Sequence, residues 1–420
     1  MLRRRPRTVA LRLADRSYLF RFLCMVFNAF SHVKPPAYSM IPAEMQPSKA
    51  CEGAPGDYVL TDLNRQDPGV RRLAHGYATS GTLRLLVLRG ARLAYEIATA
   101  LPRDLFQKVH DRGGNLRRIE PGRDPATEAA RIAIYIHYSP DGRISEMVRL
   151  QVRLLAKLGF AIVFVTMAED VPDADWRAMR DLSALVVQRR NFGLDFGAYK
   201  DLAPEIRRRW PGLTELLLAN DSVMGPIYPL APIFETFRSA GDGVFGLTES
   251  LQGGPHLQSY MLLIRGQSAV ADGLAFLENL FVSHSKWLLI QFSEIRLARW
   301  MRGRGHRVAA LFGYERLLRE AMASSEERER LAASHRVLKG LDTLPDHRAY
   351  ALLQGWPLNP SHHLWHVLVT RLHGPFIKTE LVRRNPGHLP GVAEWPAVVP
   401  PESPCPLPVL KAHLKVMGAG

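Results

Sequence analysis

Cysteine is scarce in this 420-residue chain, which has three, and Cys24, Cys51 and Cys405 lie far apart. The odd number and the wide spacing argue against a disulfide framework and against a cysteine-based zinc site, and they fit a reducing cytoplasm. Long hydrophobic runs are also missing. The longest run near the start, residues 18–30, contains Arg21 and is shorter than the roughly 20 apolar residues that a membrane-spanning helix needs.

Acidic residues are fewer than basic ones: the chain has 40 Asp and Glu and 55 Lys and Arg, for a net charge of +15. Nucleic acid, anionic membranes and phosphorylated substrates are all attracted by such a charge. Nothing in the sequence besides this charge supports binding to nucleic acid, so we expect no nucleic-acid partner. Basic residues precede the apolar run at 18–30. We favour an amphipathic segment at a membrane interface there, with a core helix or a secretory signal as the alternatives.

The hydrophobic content of 47% and the charged content of 23% are those of a globular protein. Residues 1–128 form a basic, partly helical region, in which 79–100 has helical spacing and fits either a packed helix or a basic membrane-surface helix. The polar residues 111–127, rich in Gly and Pro, mark a boundary. We predict a sheet domain over 129–320 and a small helical extension over 321–420 that completes it.

Short apolar segments alternate with helical ones after residue 129. We predict strands at 130–138, 160–166, 184–188, 215–219, 243–247, 259–265 and 308–312. Alternation of this kind is typical of an α/β fold with a mostly parallel sheet flanked by helices. Helices are predicted at 144–158, 287–304 and 324–341.

Two stretches within thirty residues suggest a ligand site. Residues 190–197 follow the third predicted strand, and the fourth ends in Asn220, Asp221 and Ser222. Ligands of open α/β sheets bind outside the carboxyl ends of the strands. The two stretches therefore predict a nucleotide or nucleotide-sugar site, to which Asn220 and Ser222 contribute.

Asp195 is a candidate binding residue in a loop whose glycines, Gly193 and Gly197, allow close backbone approach. Asn191 would orient this loop. The alternative is a turn aspartate that caps a helix beginning near Ala198.

Asp221 is the candidate for binding a phosphate or a metal ion, and an Asx-turn at a strand end is its alternative. Mg²⁺ and Mn²⁺ prefer oxygen ligands and often need one or two carboxylates together with phosphate oxygens. No second aspartate lies two residues away, so the need for a cation stays open.

Further polar residues could act at the same sheet edge. Glu249 is an acceptor-side candidate or a surface-turn residue, and His256 could bind a phosphate or sugar hydroxyl or make a structural hydrogen bond. Glu294 is either exposed on the polar stripe of a helix or directed into a cleft, and the helical period favours the exposed position. Lys378, Arg383 and Arg384 could balance phosphate charge, although we expect them to be solvated. We expect no zinc site at His362, His363 and His366, since no acidic or cysteine partner has suitable spacing.

The sequence resembles the rhamnan synthesis protein F family, bacterial proteins linked to assembly of rhamnose-containing polysaccharides. The matching motifs, in order, are RNFGLDFGAY at 190–199, LLANDSVMGP at 217–226, FGLTES at 245–250, HLQSY at 256–260, SEI at 293–295, LNPSHHLW at 358–365 and GPFIKTELVRRNP at 374–386. The resemblance covers roughly residues 130–390 and leaves 1–128 unexplained.

This resemblance implies a glycosyltransferase with a GT-A-like layout. In that fold metal-binding carboxylates end a central strand, which corresponds to Asp221, and a catalytic acid opens a late helix, which corresponds to Glu294. Inverting transfer of a sugar needs such a carboxylate to take the acceptor's proton. The Asp-x-Asp pair of the fold is absent, which leaves the Mg²⁺ or Mn²⁺ open.

The resemblance further implies the substrates and the location. We expect a nucleoside diphosphate sugar as donor, a deoxyhexose such as rhamnose as the transferred group, and a lipid-linked or polysaccharide acceptor of the bacterial cell envelope, such as lipopolysaccharide. A cytoplasmic protein in peripheral contact with the inner membrane face would meet that acceptor. The alternative is a non-catalytic binding or scaffold protein of a polysaccharide assembly complex.

Overall fold

The structure is a computed structural model that describes residues 58–63, 82–110 and 114–418. The interpretation of residues 18–30 as an interfacial segment concerns residues outside this set and stays a prediction. Within the described residues, no helix is long and apolar enough to cross a lipid bilayer.

Apolar, β-branched segments form the strands, most of them where the sequence predicts them. The strands are β1 (Thr61–Asp62), β2 (Leu116–Pro121), β3 (Arg131–His137), β4 (Ala161–Thr166), β5 (Leu185–Arg189), β6 (Glu215–Asn220), β7 (Val223–Met224), β8 (Gly243–Ser250), β9 (His256–Leu257), β10 (Met261–Arg265), β11 (Val308–Phe312) and β12 (Ile377–Lys378).

Helices connect the strands and make up most of the C-terminal part. They are α1 (Thr82–His110), α2 (Glu146–Lys157), α3 (Asp173–Leu182), α4 (Leu194–Arg209), α5 (Ala231–Ser239), α6 (Gln267–Glu278), α7 (Lys286–Leu289), α8 (Ile295–Gly303), α9 (Tyr314–Met322), α10 (Ser325–Ser334), α11 (Asp346–Gly355), α12 (Pro360–His363), α13 (Trp365–Thr370), α14 (Thr379–Arg384) and α15 (Leu407–Val416). A π-helix, Ile290–Glu294, joins α7 to α8, and short 3₁₀ turns occur at Arg336–Leu338, Leu341–Thr343 and Val392–Val398.

The main sheet has the order β1-β11-β8-β10-β6-β3-β4-β5-β2, with β9 paired to β8. β6, β3, β4 and β5 are parallel neighbours. β10 runs antiparallel between β6 and β8, so that β8 and its parallel neighbour β11 point the same way as the other four. β1 and β2 are antiparallel edge strands. The predicted mostly parallel sheet flanked by helices is confirmed.

Both faces of the sheet are covered, which explains why its central strands are apolar throughout. Along β3, Ala133 and Tyr135 pack into the core on one face, and Ile132 and Ile134 pack into the core on the other. The register aligns the carboxyl ends of the parallel strands, because His137 pairs with Thr166. The loops that follow these strands therefore meet at one edge.

Helix boundaries differ from the prediction at several places, since α1 runs to His110 and a π-helix divides the helix predicted over 287–304. Two further differences have a local cause. The helix expected near Ala198 begins at Leu194, because Gly193 adopts a left-handed φ of 76° and turns the chain directly into the first helical turn. The charged helix predicted over 324–341 ends at Ser334, where His335 is extended with a φ of −156°.

Candidate functional site

A cavity of about 660 Å³ opens at the carboxyl edge of the parallel strands, which is within the usual size of small-molecule sites. It brings together most of the residues that the sequence singles out. The lining includes Asn191, Gly193, Asp195, Asn220, Asp221, Ser222 and Glu294. These side chains come from three separate stretches of the chain.

Asp221 occupies the first position after β6 and is buried. Its amide donates to the Ile136 carbonyl (3.1 Å), which extends the β3–β6 pairing by one step. Its Oδ2 accepts the Tyr138 amide at 2.8 Å. Burial raises the pKa of this carboxyl group to about 8, and the charge of Asp195 acts in the same direction. Asp221 is therefore largely neutral near pH 7.

Asp195 lies in the first turn of α4, not in the loop before it as predicted. Gly193 makes this possible, since a Cβ there would approach the Val282 Cβ to 3.0 Å. The Oδ2 of Asp195 accepts the Asn220 amide group at 2.9 Å. Burial raises the pKa of Asp195 to about 6, and the neighbouring Lys378 ammonium opposes that rise.

Asn220 links the aspartates to a lysine from the C-terminal part of the chain. Its Oδ1 accepts both the amide (3.1 Å) and the hydroxyl group of Ser222. The Ser222 Oγ in turn accepts a hydrogen bond from the Lys378 Nζ at 3.0 Å. The resulting chain of contacts runs from Asp195 through Asn220 and Ser222 to Lys378.

The prediction that Lys378 is solvated is wrong, because the residue is half-buried and lines the cavity. Burial lowers its pKa, while Glu294 and Asp195 counteract that effect. The ammonium lies 5.0 Å from the centre of the Tyr260 ring. Periodicity could not reveal this position, because Lys378 is brought there by the pairing of β12 with β7, and the Lys378–Ser222 contact joins residues 156 positions apart.

Glu294 is half-buried at the cavity wall, so the prediction of an exposed position is wrong. The cause is the π-helix Ile290–Glu294. Its wider turn rotates Glu294, its last residue, away from the position that an ordinary helical period predicts. The Oε1 of Glu294 accepts the Ser259 amide at 2.6 Å, which fixes the orientation of the carboxyl group.

Glu249 and His256 do not line the cavity. Glu249 is buried, and its Oε2 accepts the Tyr314 amide at 3.0 Å, where α9 begins. It is therefore not the surface-turn residue of the alternative interpretation either. His256 is also buried, and its Nδ1 lies 2.7 Å from the Gly254 carbonyl, as the structural alternative predicts. The geometry gives neither residue contact with a ligand in the cavity.

Sequence reasoning assigns Gln258 of the motif HLQSY no role of its own, although it predicts polar residues of this motif at the same sheet edge. Its Oε1 accepts the Thr248 hydroxyl at 2.7 Å, and its Nε2 donates to the Asn359 Oδ1 at 3.2 Å. Gln258 and Asn359 both line the cavity. This contact joins the motif at 256–260 to the one at 358–365, which explains why both contribute to one site.

The charges of the cavity are mixed. Its cationic residues are Lys286, Lys378, Arg383 and Arg384, and its acidic residues are Asp195, Asp221, Glu294 and Glu380. Lys286 and Glu380 pair with each other, with the Nζ 3.5 Å from the Oε2. Because Asp221 is largely neutral near pH 7, positive charge is in slight excess. An anionic ligand with hydroxyl groups matches such a lining.

The donor set around Asp221 does not fit a cation held by the protein alone. One Asp221 oxygen already accepts the Tyr138 amide, and the Asn220 oxygen accepts from Ser222. Among the residues that the structure describes, no three His, Cys, Asp or Glu side chains are grouped to hold a metal ion. The lysine ammonium bound to Ser222 would also repel a divalent cation. The predicted Mg²⁺ or Mn²⁺ stays a prediction.

The central part of the chain matches a known family model. Residues 162–313 match the family model described as rhamnan synthesis protein F. The family resemblance predicted from the sequence is thereby confirmed over this segment, which contains Asp195, Asp221 and Glu294. Lys378 and the rest of the C-terminal part lie outside the match.

Similar proteins are known from two bacteria. An uncharacterized protein, y4gN, of Sinorhizobium fredii is 28% identical over 217 residues, which is 50% of this chain and 55% of that protein. The virulence protein VirA of Vibrio anguillarum is 28% identical over 216 residues, 49% of this chain and 64% of that protein. The matches thus span little more than half of these relatives.

Among solved structures, a candidate nucleotide-diphospho-sugar transferase from Desulfovibrio desulfuricans aligns with a TM-score of 0.31 and 11% identity. The alignment covers 44% of this chain and 80% of that one. At that score the likeness is weak.

Proposed function

We propose that this protein is a glycosyltransferase that moves a deoxyhexose, rhamnose, from a nucleoside diphosphate sugar to a lipid-linked or polysaccharide acceptor of the bacterial cell surface. One observation carries the proposal. Asp195, Asp221 and Glu294, all within the segment that matches the rhamnan synthesis family, line a single cavity at the carboxyl edge of a mostly parallel sheet. Ligands bind at this edge in open α/β sheets.

Glu294 would act as the general base of an inverting transfer. The acceptor hydroxyl oxygen attacks the anomeric carbon of the donor sugar, the bond from that carbon to the phosphate oxygen breaks, and the nucleoside diphosphate leaves with the electron pair. The proton of the hydroxyl passes to the Glu294 carboxylate. The bond from the Ser259 amide to Oε1 supports this role, because it holds the carboxylate in one orientation.

Asp195 and Asn191 would bind the nucleoside, and Asp221, Asn220 and Ser222 would lie beside the diphosphate. The hydrogen bond from Asn220 to Asp195 supports a shared task, since it couples the two binding elements. A neutral Asp221 can donate a hydrogen bond to a phosphate oxygen, which an ionised one cannot. The GT-A assignment is part of the same proposal.

The basic residues 1–128 would hold the enzyme at the cytoplasmic face of the inner membrane, where lipid-linked acceptors are found. Arginines and lysines near an anionic membrane surface each contribute about 1 kcal/mol of attraction. The concentration of arginine in the first 21 residues supports this part of the proposal.

The test is transfer or hydrolysis of UDP-, GDP- and dTDP-linked sugars, rhamnose donors included, by the purified full-length protein. Replacement of a general base lowers kcat by about 10² to 10⁴, and we expect Glu294→Gln to fall in this range while the donor KM changes little. The exposed Glu329 of α10 gives the matched control Glu329→Gln, which should keep wild-type kcat.

The alternative is a scaffold protein that retains the fold. Equal turnover by the wild type and Glu294→Gln would refute the assigned base. Absence of turnover and of nucleotide binding across the whole donor panel would refute the glycosyltransferase and favour the scaffold.

A further inference from the structure

The segment β12–α14, residues 377–384, reaches the cavity from outside the family match. β12 pairs antiparallel with β7, so that Lys378 lies opposite Val223. The Thr379 amide donates to the Ser222 carbonyl at 3.0 Å, which fixes the segment directly beside the end of β6. Its position is therefore determined by backbone pairing and not by a flexible side chain.

Lys378 is prepared for a ligand at this place. The hydrogen-bond partner of its ammonium group is the Ser222 hydroxyl, which is neutral and supplies no opposite charge. An ammonium group has three N–H donors, so two remain for other acceptors. Withdrawal of a lysine charge from water is unfavourable without a compensating anion. Asp195 and Glu294 compensate Lys378 electrostatically within the same cavity.

Two arginines of α14 extend the cationic lining. Arg383 and Arg384 both border the cavity. The Nε of Arg383 is buried and has no hydrogen-bond partner among the described residues. The guanidinium groups that border the cavity can donate hydrogen bonds to phosphate oxygens.

We infer that β12–α14 is the diphosphate-binding element of the site, and that the Lys378 ammonium contacts the phosphate oxygens in place of a divalent cation held by the protein. The inference rests on the proposed function, which supplies the nucleoside diphosphate. Lysine and arginine side chains serve this purpose in many phosphate sites. The Asn220 oxygen agrees with it, since it already accepts two hydrogen bonds from Ser222.

The experiment is calorimetric titration of the full-length protein with UDP, GDP and dTDP, and with the matching nucleosides, in EDTA and in Mg²⁺. We expect one diphosphate to bind in EDTA with a Kd within about threefold of that in Mg²⁺. Because a charge-assisted contact contributes about 1.5–3 kcal/mol, Lys378→Met should weaken that diphosphate by about tenfold to a hundredfold. Lys378→Arg should lose less than about fivefold, and nucleoside binding should not change.

Lys157→Met, an exposed lysine at the end of α2, is the matched control and should bind like the wild type. Arg383→Gln is a second variant, expected to weaken the diphosphate and not the nucleoside. It decides the matter if circular dichroism shows that Lys378→Met is unfolded.

The outcomes distinguish a failure of the lysine inference from a failure of the proposed function. Loss of wild-type diphosphate binding in EDTA with recovery in Mg²⁺ would overturn the lysine inference while leaving the glycosyltransferase standing. A folded Lys378→Met that binds the diphosphate with wild-type affinity would also overturn the lysine inference alone. If Lys378→Met is unfolded, wild-type affinity of Arg383→Gln would have that consequence. Failure of the wild type to bind any diphosphate under either condition would overturn the proposed function itself.

Discussion

Asp221 shows how a single buried side chain makes stability depend on pH. Its native pKa of about 8 lies far above the ordinary 3.8. Between these values the native state keeps a proton that the unfolded state has released, so the free energy of unfolding falls as the pH rises, by at most about 1.4 kcal/mol per pH unit. Asp221→Asn cannot ionise and should not share this loss.

We therefore expect Asp221→Asn to gain stability relative to the wild type between about pH 5 and about pH 8, measured by urea unfolding at three pH values. The asparagine Oδ1 can still accept the Tyr138 amide, so the fold should persist. The exposed Asp181 supplies the control Asp181→Asn, whose stability should change with pH as that of the wild type does. If the free energy of unfolding changes with pH in the same way for all three proteins, Asp221 is not a buried, protonated residue.

Gly193 is the residue that allows Asp195 to enter the site. It combines a φ of 76° with a Cβ position only 3.0 Å from the Val282 Cβ. A side chain there meets both backbone strain and a close contact, so Gly193→Ala should lower the free energy of unfolding by about 1–3 kcal/mol. Gly212 has no atoms within 4 Å of its Cβ position and no left-handed φ, so Gly212→Ala should be nearly neutral. Thermal unfolding of both variants compares them, and equal melting temperatures would be evidence against the strain argument.

Helix α1 holds the segment that precedes Glu294 in the chain. The Oδ1 of the fully buried Asp104 accepts from the His284 amide at 2.9 Å and lies 2.6 Å from the His284 Nδ1. About two turns earlier in α1, Glu96 Oε2 accepts the Ser285 hydroxyl at 2.6 Å. Ser285 in turn caps α7, which leads into the π-helix. A helix outside the family match thus supports the wall of the cavity.

Loss of this support should be measurable. Asp104→Ala removes the acceptor of the part-buried His284 amide, so we expect a loss of about 1–3 kcal/mol in the free energy of unfolding. We also expect a lower kcat, because the segment 283–294 loses its anchor. The neighbouring exposed Arg103 provides the control Arg103→Ala, which should change neither quantity. Denaturant unfolding and the transfer assay measure both, and an unchanged Asp104→Ala would show that α1 is not required.

The elements that the sequence predicts well are those with a local signal. β3, β4 and β6 are continuous apolar segments that end in polar residues, and their carboxyl ends must share an edge once the sheet is parallel. Asp195 and Asp221 therefore meet as expected. Periodicity could not predict the position of Glu294, which only the family resemblance indicated, because the π-helix inserts an irregularity into a regular apolar period. The position of Lys378 depends on the pairing of β7 with β12. Each of these strands has only two residues, which is too short for a recognisable sequence pattern.

At the scale of the whole molecule, the excess of positive charge and the cavity are separate features. The cavity lining is made of residues 138–417, with four cationic and four acidic side chains. Much of the net charge of +15 must therefore lie elsewhere, and Arg3, Arg4, Arg5, Arg7, Arg12, Arg16 and Arg21 are concentrated at the start. In the proposed function the basic start binds the membrane while the cavity binds the donor, so the two activities should be separable.

Deletion of residues 1–57 tests this separation, since it keeps β1, whose Thr61 pairs with Ala310 at the sheet edge. We expect the truncated protein to bind nucleoside diphosphate with a Kd within about threefold of the full chain, because it keeps every described residue that lines the cavity. We also expect it to lose most of its sedimentation with vesicles containing phosphatidylglycerol. Vesicles of phosphatidylcholine alone should bind both proteins weakly. If the truncated protein sediments with anionic vesicles as the full chain does, the membrane-binding charge lies within residues 58–420.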